Sequence, residues 1–213
     1  ENWGRSEGMT EIVGPMGFTD MDKEGMLVEG FEEDCTMATY YNPSYYPQII
    51  EKLSYKKEVD WIQYRIKANQ EVPEKILRIN NLIKEKYNLK IVEGLSAKQI
   101  AKRYGHKLFN TLNEAFSDLF GYVPLNEKQA QFYIDMYFPF LDKRLLCLIV
   151  DENDDIAAFG VSMPSLTEAL RKSKGKLFPF GWYHLLKAIR NFENIDLYFN
   201  GVHPKWQNKG IHS

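Results

Sequence analysis

The chain has 213 residues, 44% hydrophobic and 26% charged, enough for one large domain or two smaller units that each bury a core. A net charge of −2 argues against a nucleic-acid partner held by a strongly basic surface. Two cysteines, Cys35 and Cys147, are too few and too distant for a disulfide framework or a cysteine zinc site, and read as reduced core residues.

No apolar run is long enough for an integral membrane segment, no signal peptide is visible, and the expected compartment is cytoplasmic. The chain starts at Glu1 without a methionine and stops at Ser213 inside a motif, so it reads as cut at both ends. Targeting signals therefore lie beyond what it excludes. The sequence leaves the oligomeric state open.

Residues 1–67 read as a β-rich unit. Residues 9–18 are expected to form a short strand entering a turn at Gly14, Pro15 and Gly17. Residues 25–31 (GMLVEGF) read as a buried strand bounded by glycines. Residues 42–55 form a loop opening a short helix, with Pro47 near its start. Val59, Trp61, Tyr64 and Ile66 predict a strand with a bulge. Residues 68–88 bridge to the next unit as a linker and an amphipathic helix, in which Ile76, Ile79, Leu82 and Ile83 share a face.

Residues 89–213 read as α/β, a mixed sheet flanked by helices, with the strand at 195–202 central. A strand at 89–95 leads to Ser96, which with Gln99 makes a capping-box pattern. Ile100, Tyr104, Leu108, Leu112 and Phe116 continue that helix on one face. A second helix is closed by Pro139. Two β-rich runs flank the polar turn at 151–155 as a hairpin; this turn lacks the glycine and distal glutamate of a calcium loop. Helices at 167–173 and 182–192 precede a buried strand at 194–202.

That strand runs into Val202-x-Pro204-x-x-Gln207-x-Lys209-Gly210-Ile211. Consecutive backbone N–H groups at the start of a helix lack intrahelical partners, and the helix dipole adds positive potential, so such a junction can hold a pyrophosphate. Gly210 would let phosphate approach the backbone, and Lys209 adds positive charge.

The pattern resembles the acetyl-CoA motif of the GNAT (N-acetyltransferase) superfamily, departing from it at His212, where that family usually has Gly or Ala. The resemblance implies acetyl-CoA or another acyl-CoA as cofactor, with Gly201, Val202, Gln207, Asn208, Lys209, Gly210, Ile211 and His212 as cofactor-binding residues. It implies direct attack of an amine on a thioester, with a backbone N–H of the strand at 197–202 on the developing oxyanion. Glu93, Glu114 and Asp118 are the candidate bases near that strand. The ordinary alternative is a plain strand–turn–helix junction.

Asn42 followed by IIEKLSYKK is similar to the family's late motif, with Ile50 where a tyrosine acid is frequent. Tyr45 and Tyr46 are the candidate replacements. Taken together, the two motifs imply the C-terminal part of one acetyltransferase-like unit in 1–67 and the N-terminal part of another in 89–213. GPMGF, GMLVEGF and YNPSYY also resemble bacterial acetyltransferase-like proteins, some suspected of acylating lipid amines.

The expected function is acetyl transfer to a small-molecule or lipid amine. Long-chain acyl transfer to an amino lipid and a non-catalytic binding module stand as alternatives. The aromatic content of 14% fits a packed core or an apolar ligand cleft. The basic run Arg171, Lys172, Lys174 and Lys176 fits a solvated loop, coenzyme A phosphates or a membrane surface. His106, His184, His203 and His212 have no metal-ligand spacing.

Overall fold

Apolar runs separated by polar turns form a sheet, and the capped amphipathic stretches form helices around it. The computed structural model describes residues 1–67 and 71–211. In chain order the elements are α1 (Asn2–Ser6), α2 (Tyr46–Lys52), α3 (Glu74–Tyr87), β1 (Lys90–Ile91), α4 (Ala97–Ala115), α5 (Glu127–Tyr137), β2 (Leu146–Val150), β3 (Ile156–Pro164), α6 (Thr167–Ser173), α7 (Gly181–Arg190) and β4 (Ile195–Val202). The strands make one antiparallel sheet ordered β1-β2-β3-β4 accompanied by helices, so the expected class of mixed helix and sheet, α/β or α+β, is observed. By internal contacts the chain groups into one unit of residues 1–60, 120–123 and 165–191 and another of 61–119, 124–164 and 192–213.

In the sheet-bearing unit β3 is buried along almost its whole length, with Ile156, Ala157 and Phe159 at 3%, 0% and 4% exposure. Such continuous burial is what a strand covered on both faces requires. α4 packs on β3, β4 and α5. Its first turn carries the expected capping box, with Ser96 accepting from the Gln99 N–H and the Gln99 side chain from the Ser96 N–H. Ile100, Tyr104, Leu108 and Leu112 are buried on the face that their spacing predicts. Gly105 lets α5 come close, since a Cβ there would lie 2.9 Å from Ile134.

The β2–β3 hairpin turn is tied down from both sides. Buried Asp151 accepts from the N–H groups of Asn153 and Asp155. Asp154, at φ 65°, receives a two-pronged bond from Arg103 (3.0 and 2.8 Å) and the Tyr104 hydroxyl at 2.6 Å. Lys107 donates to the Asp154 carbonyl at 2.6 Å.

Several expectations need correction. Residues 25–31 and 59–66 form no strand, and neither do residues 9–18. At 25–31 an asparagine amide does what a ladder would have done: Leu27 N–H donates to Asn42 Oδ1 at 2.7 Å, and Asn42 Nδ2 donates to the Leu27 carbonyl at 3.1 Å. At 59–66 the alternation pairs with no strand among the described residues, and Tyr64 and Ile66 stay exposed. Residues 1–67 are thus helix, turn and extended chain rather than β-rich.

Residues 89–95 contribute only Lys90–Ile91 to the ladder. The strand at 195–202 lies at the edge of the described sheet, not its centre. On α3 the half-buried apolar residues are Ile79, Ile83 and Tyr87, spaced by four, while Ile76 and Leu82 are exposed. Cys35 and Cys147 are free and exposed; Cys147 takes the opposite face of β2 from buried Leu148.

The other unit contains α1, α2, α6 and α7. Its interior is narrow: Thr19, Asn42, Ala169, Gly4 and Gly181 are its buried residues among those described.

The Tyr104 hydroxyl is pushed up to about 12, first by burial and then by the Asp154 carboxylate it donates to. A folded-state pKa above the unfolded value of about 10 adds stability below that value and loses it as pH rises through the folded one. The urea midpoint should therefore fall between pH 10 and 12. Tyr104→Phe should flatten that fall and lower stability at neutral pH by about 1 kcal/mol. An unchanged slope in the variant would count against this account.

Candidate functional site

The expected motif lies where the ends of β4 and α4 meet. β4 runs antiparallel to β3, with Val161 opposite Phe199 and Ser162 opposite Leu197, so Tyr198 is an extra, bulged residue. Burial, then Asp196 and Tyr137, raises the Tyr198 hydroxyl pKa. The ladder continues one step past the strand, with His203 N–H donating to the Ala157 carbonyl at 3.0 Å. Antiparallel alternation then turns the N–H and C=O of Val202 and Asn200 away from β3. Gln207 Nε2 takes the Val202 carbonyl at 3.2 Å. Among the described residues no strand pairs with that outer edge.

Gly201 owes its identity to packing. A Cβ there would lie 2.5 Å from the Phe159 ring and 3.4 Å from the Ala115 Cβ. The two contacts draw the end of β4 onto the last residues of α4.

Beyond the strand, Pro204–Trp206 is one turn of 3-10 helix, closed by Trp206 N–H on the His203 carbonyl and Gln207 N–H on the Pro204 carbonyl. The helix expected to open at 207–211 is a turn within the described residues, because Asn208 and Gly210 take left-handed φ values of 60° and 77°. Among the described residues, the N–H groups of Asn208, Lys209, Gly210 and Ile211 take no part in the ladder or the 3-10 turn. The loop is pinned by buried Trp206 and Ile211, which share a cluster with Leu89, Ala157 and Ala158.

Tyr87 meets Trp206 edge-on at 5.7 Å. Lys209 Nζ sits 4.6 Å from the Trp206 ring centre and 5.6 Å from that of Tyr87. Lys205 Nζ lies 5.2 Å from the Trp206 ring centre and 3.7 Å from the buried Asp151 carboxylate. The loop's cations are thus held by aromatic faces and one carboxylate. His212 lies outside the described residues.

Of the candidate bases, the structure brings Glu114 to the motif. Its Oε2 is 3.0 Å from His203 Nε2, while His203 Nδ1 accepts the Lys205 N–H at 3.1 Å. An Nδ1 that accepts must carry the lone pair, so Nε2 carries the proton and donates to Glu114. The Glu114 side chain is 57% exposed, and among the described residues its other oxygen has no hydrogen bond or ion pair.

Glu93 and Asp118 are exposed, and no ion pair or hydrogen bond joins them to the loop among the described residues. Tyr45 and Tyr46 belong to the other unit, exposed at the start of α2 with ring centres 5.2 Å apart. Sequence reading missed the role of His203, because its partner is distant in the chain and only the closure of β4 on α4 joins them. Among the described residues no group of three or more His, Cys, Asp or Glu side chains is placed to hold a metal ion. No described helix is long and apolar enough to cross a membrane.

Among curated proteins, the chain is 27% identical over 213 residues to the bacterial ceramide synthase of Caulobacter vibrioides (strain NA1000 / CB15N), covering 97% of this chain and 53% of that protein. It is also 27% identical over 205 residues to protein YghO of Escherichia coli (strain K12), covering 89% of this chain and 48% of that protein. The chain spans about half the length of the curated relatives it matches. No family model matches it, and no solved structure gives a significant match.

Two measurements check the site. Nitrogen-15 spectra at pH 8 should place the His203 proton on Nε2, and a proton on Nδ1 would contradict the Lys205 bond. Gly201→Ala should lower stability by about 1–3 kcal/mol in a urea titration, through collision with Phe159; an unshifted midpoint would show that the ring moves away freely.

Proposed function

We propose that the protein is an acyl-CoA-dependent N-acyltransferase of the GNAT type whose acceptor is the amine of an amino lipid. The observation that carries this reading is the junction itself: a strand edge with outward backbone donors running directly into a left-handed loop, with an acid–imidazole pair at the turn. The similarity to a bacterial ceramide synthase supports acyl transfer, and favours a lipid amine over a small-molecule amine as the acceptor.

The residues present fit an acyl-CoA. The loop N–H groups of Asn208–Ile211 would hold the pyrophosphate, and Gly210 offers a side-chain-free approach. When bound, the cofactor supplies an activated acyl thioester. The outward Val202 N–H is the backbone donor that would face an acyl oxygen brought to the strand edge, and it would favour the charge that develops on that oxygen.

Removing the proton from the acceptor ammonium, so that the free amine can attack the thioester with the coenzyme A thiolate as leaving group, would fall to Glu114. Both nitrogens of His203 are occupied, so the imidazole orients the carboxylate rather than taking the proton itself. The open Glu114 oxygen accepts it, directly or through one water.

The reading is tested on the full-length protein. Coenzyme A should bind in a calorimetric titration, and Gly210→Glu should weaken it strongly by adding bulk and negative charge, with little change in melting temperature. Glu114→Gln should lower kcat for acylation of a long-chain amino alcohol about a hundredfold or more, leaving the affinity for coenzyme A near wild type. Paired assays with acetyl and long-chain acyl donors decide chain length. Absence of coenzyme A binding at millimolar ligand would sink the proposal.

A further inference from the structure

Residues 165–191 carry Arg171, Lys172, Lys174, Lys176, Lys187 and Arg190 against a single acidic residue, Glu168, in a chain whose net charge is −2. Arg171 is paired with Asp34 at 2.7 Å and Lys172 with Glu168 at 2.6 Å. Lys174, Lys176, Lys187 and Arg190 have no ion pair among the described residues. The segment is therefore a positive surface whose one acid is already engaged.

Interleaved with these cations is apolar surface. Phe178 and Phe180 are 76% and 69% exposed, and Leu177, Trp182, Tyr183, Leu186 and Ile189 are exposed too. On α7, Gly181, His184, Leu185 and Ala188 turn inward, while Trp182, Leu186 and Ile189 form an outward stripe with Tyr183, Lys187 and Arg190 beside it. A helix that faced only water would carry polar groups where this one carries Trp, Leu and Ile.

The aromatics are held in place. Trp182 donates from Nε1 to the Pro179 carbonyl at 2.9 Å and from its backbone N–H to the Leu177 carbonyl at 3.0 Å. Gly181 lets the loop fold back, because a Cβ there would lie 1.8 Å from the Lys176 carbonyl oxygen. The result is a fixed apolar ridge with a basic margin.

We propose that this surface docks on an anionic lipid bilayer. α7 lies in the plane of the interface, Phe178, Phe180 and Trp182 enter the boundary between headgroups and acyl chains, and Lys174, Lys176, Lys187 and Arg190 meet lipid phosphates. Charge complementarity selects this occupant: cations flank the ridge and its single acid is neutralised, as an anionic surface requires. Aromatic rings with a polar edge, Trp182 and Tyr183, suit the same boundary. The inference goes beyond the acyltransferase reading and does not depend on it.

The test is co-sedimentation of the full-length protein with phosphatidylcholine vesicles, with and without phosphatidylglycerol. Binding should require phosphatidylglycerol and weaken in high salt. Lys174→Glu with Lys176→Glu should weaken it roughly tenfold or more, as should Phe178→Ser with Phe180→Ser, with circular dichroism and melting temperature unchanged. Failure of the wild type to bind anionic vesicles at low salt would overturn the proposal and point to a protein segment covering the ridge. Equal binding by the wild type and both variants would overturn it as well.

Discussion

The ring of Phe159 occupies the space that any side chain at position 201 would need, and much of the sheet-bearing unit follows from that. Phe159 is buried in β3 and lies 6.5 Å from the Phe116 ring just past α4. Gly201 closes over it, and Ala115 bounds the same space. The ends of β4 and α4 therefore converge on one aromatic ring. Glu114 precedes Ala115 and His203 follows Gly201 by two residues, so the packing of an apolar ring sets the spacing of a polar pair. Such a pair needs no long-range electrostatic design; it is delivered by close packing that tolerates little displacement.

Past the strand, the loop is stabilised differently from a helix start. Two left-handed residues stop helical hydrogen bonding from propagating, and Trp206 and Ile211 anchor the chain to the core instead. Cations rest on the Trp206 and Tyr87 faces, and the buried Asp151 that organises the hairpin turn also faces Lys205. The acidic hairpin, clamped by Arg103, Tyr104 and Lys107, is thereby linked through β3 and Lys205 to the loop.

Local signals were readable in the sequence where they were self-sufficient. Ser96 with Gln99 marks its helix start without help from elsewhere, and the face Ile100, Tyr104, Leu108 and Leu112 is set by periodicity alone. The hairpin around 151–155 was readable because its two apolar runs pair with each other. Residues 25–31 and 59–66 misled because strand-like composition does not supply a partner. In the first, Asn42 supplies the backbone's bonds from a side chain, a substitution that no alternation pattern reveals. The edge position of β4 and the pairing of His203 with Glu114 depend on tertiary closure. The left-handed Asn208 was equally hidden, since asparagine adopts either hand.

Gln207 gives the edge of β4 a polarity. A second strand laid along an edge needs donors and acceptors in alternation, and spending the Val202 carbonyl on Gln207 removes an acceptor from that series. The neighbouring donor stays open. An incoming strand would meet that acceptor already partly used at this end, whereas a lone carbonyl needs only the donor. One side-chain amide thus biases the edge toward small acceptors and away from an extended backbone.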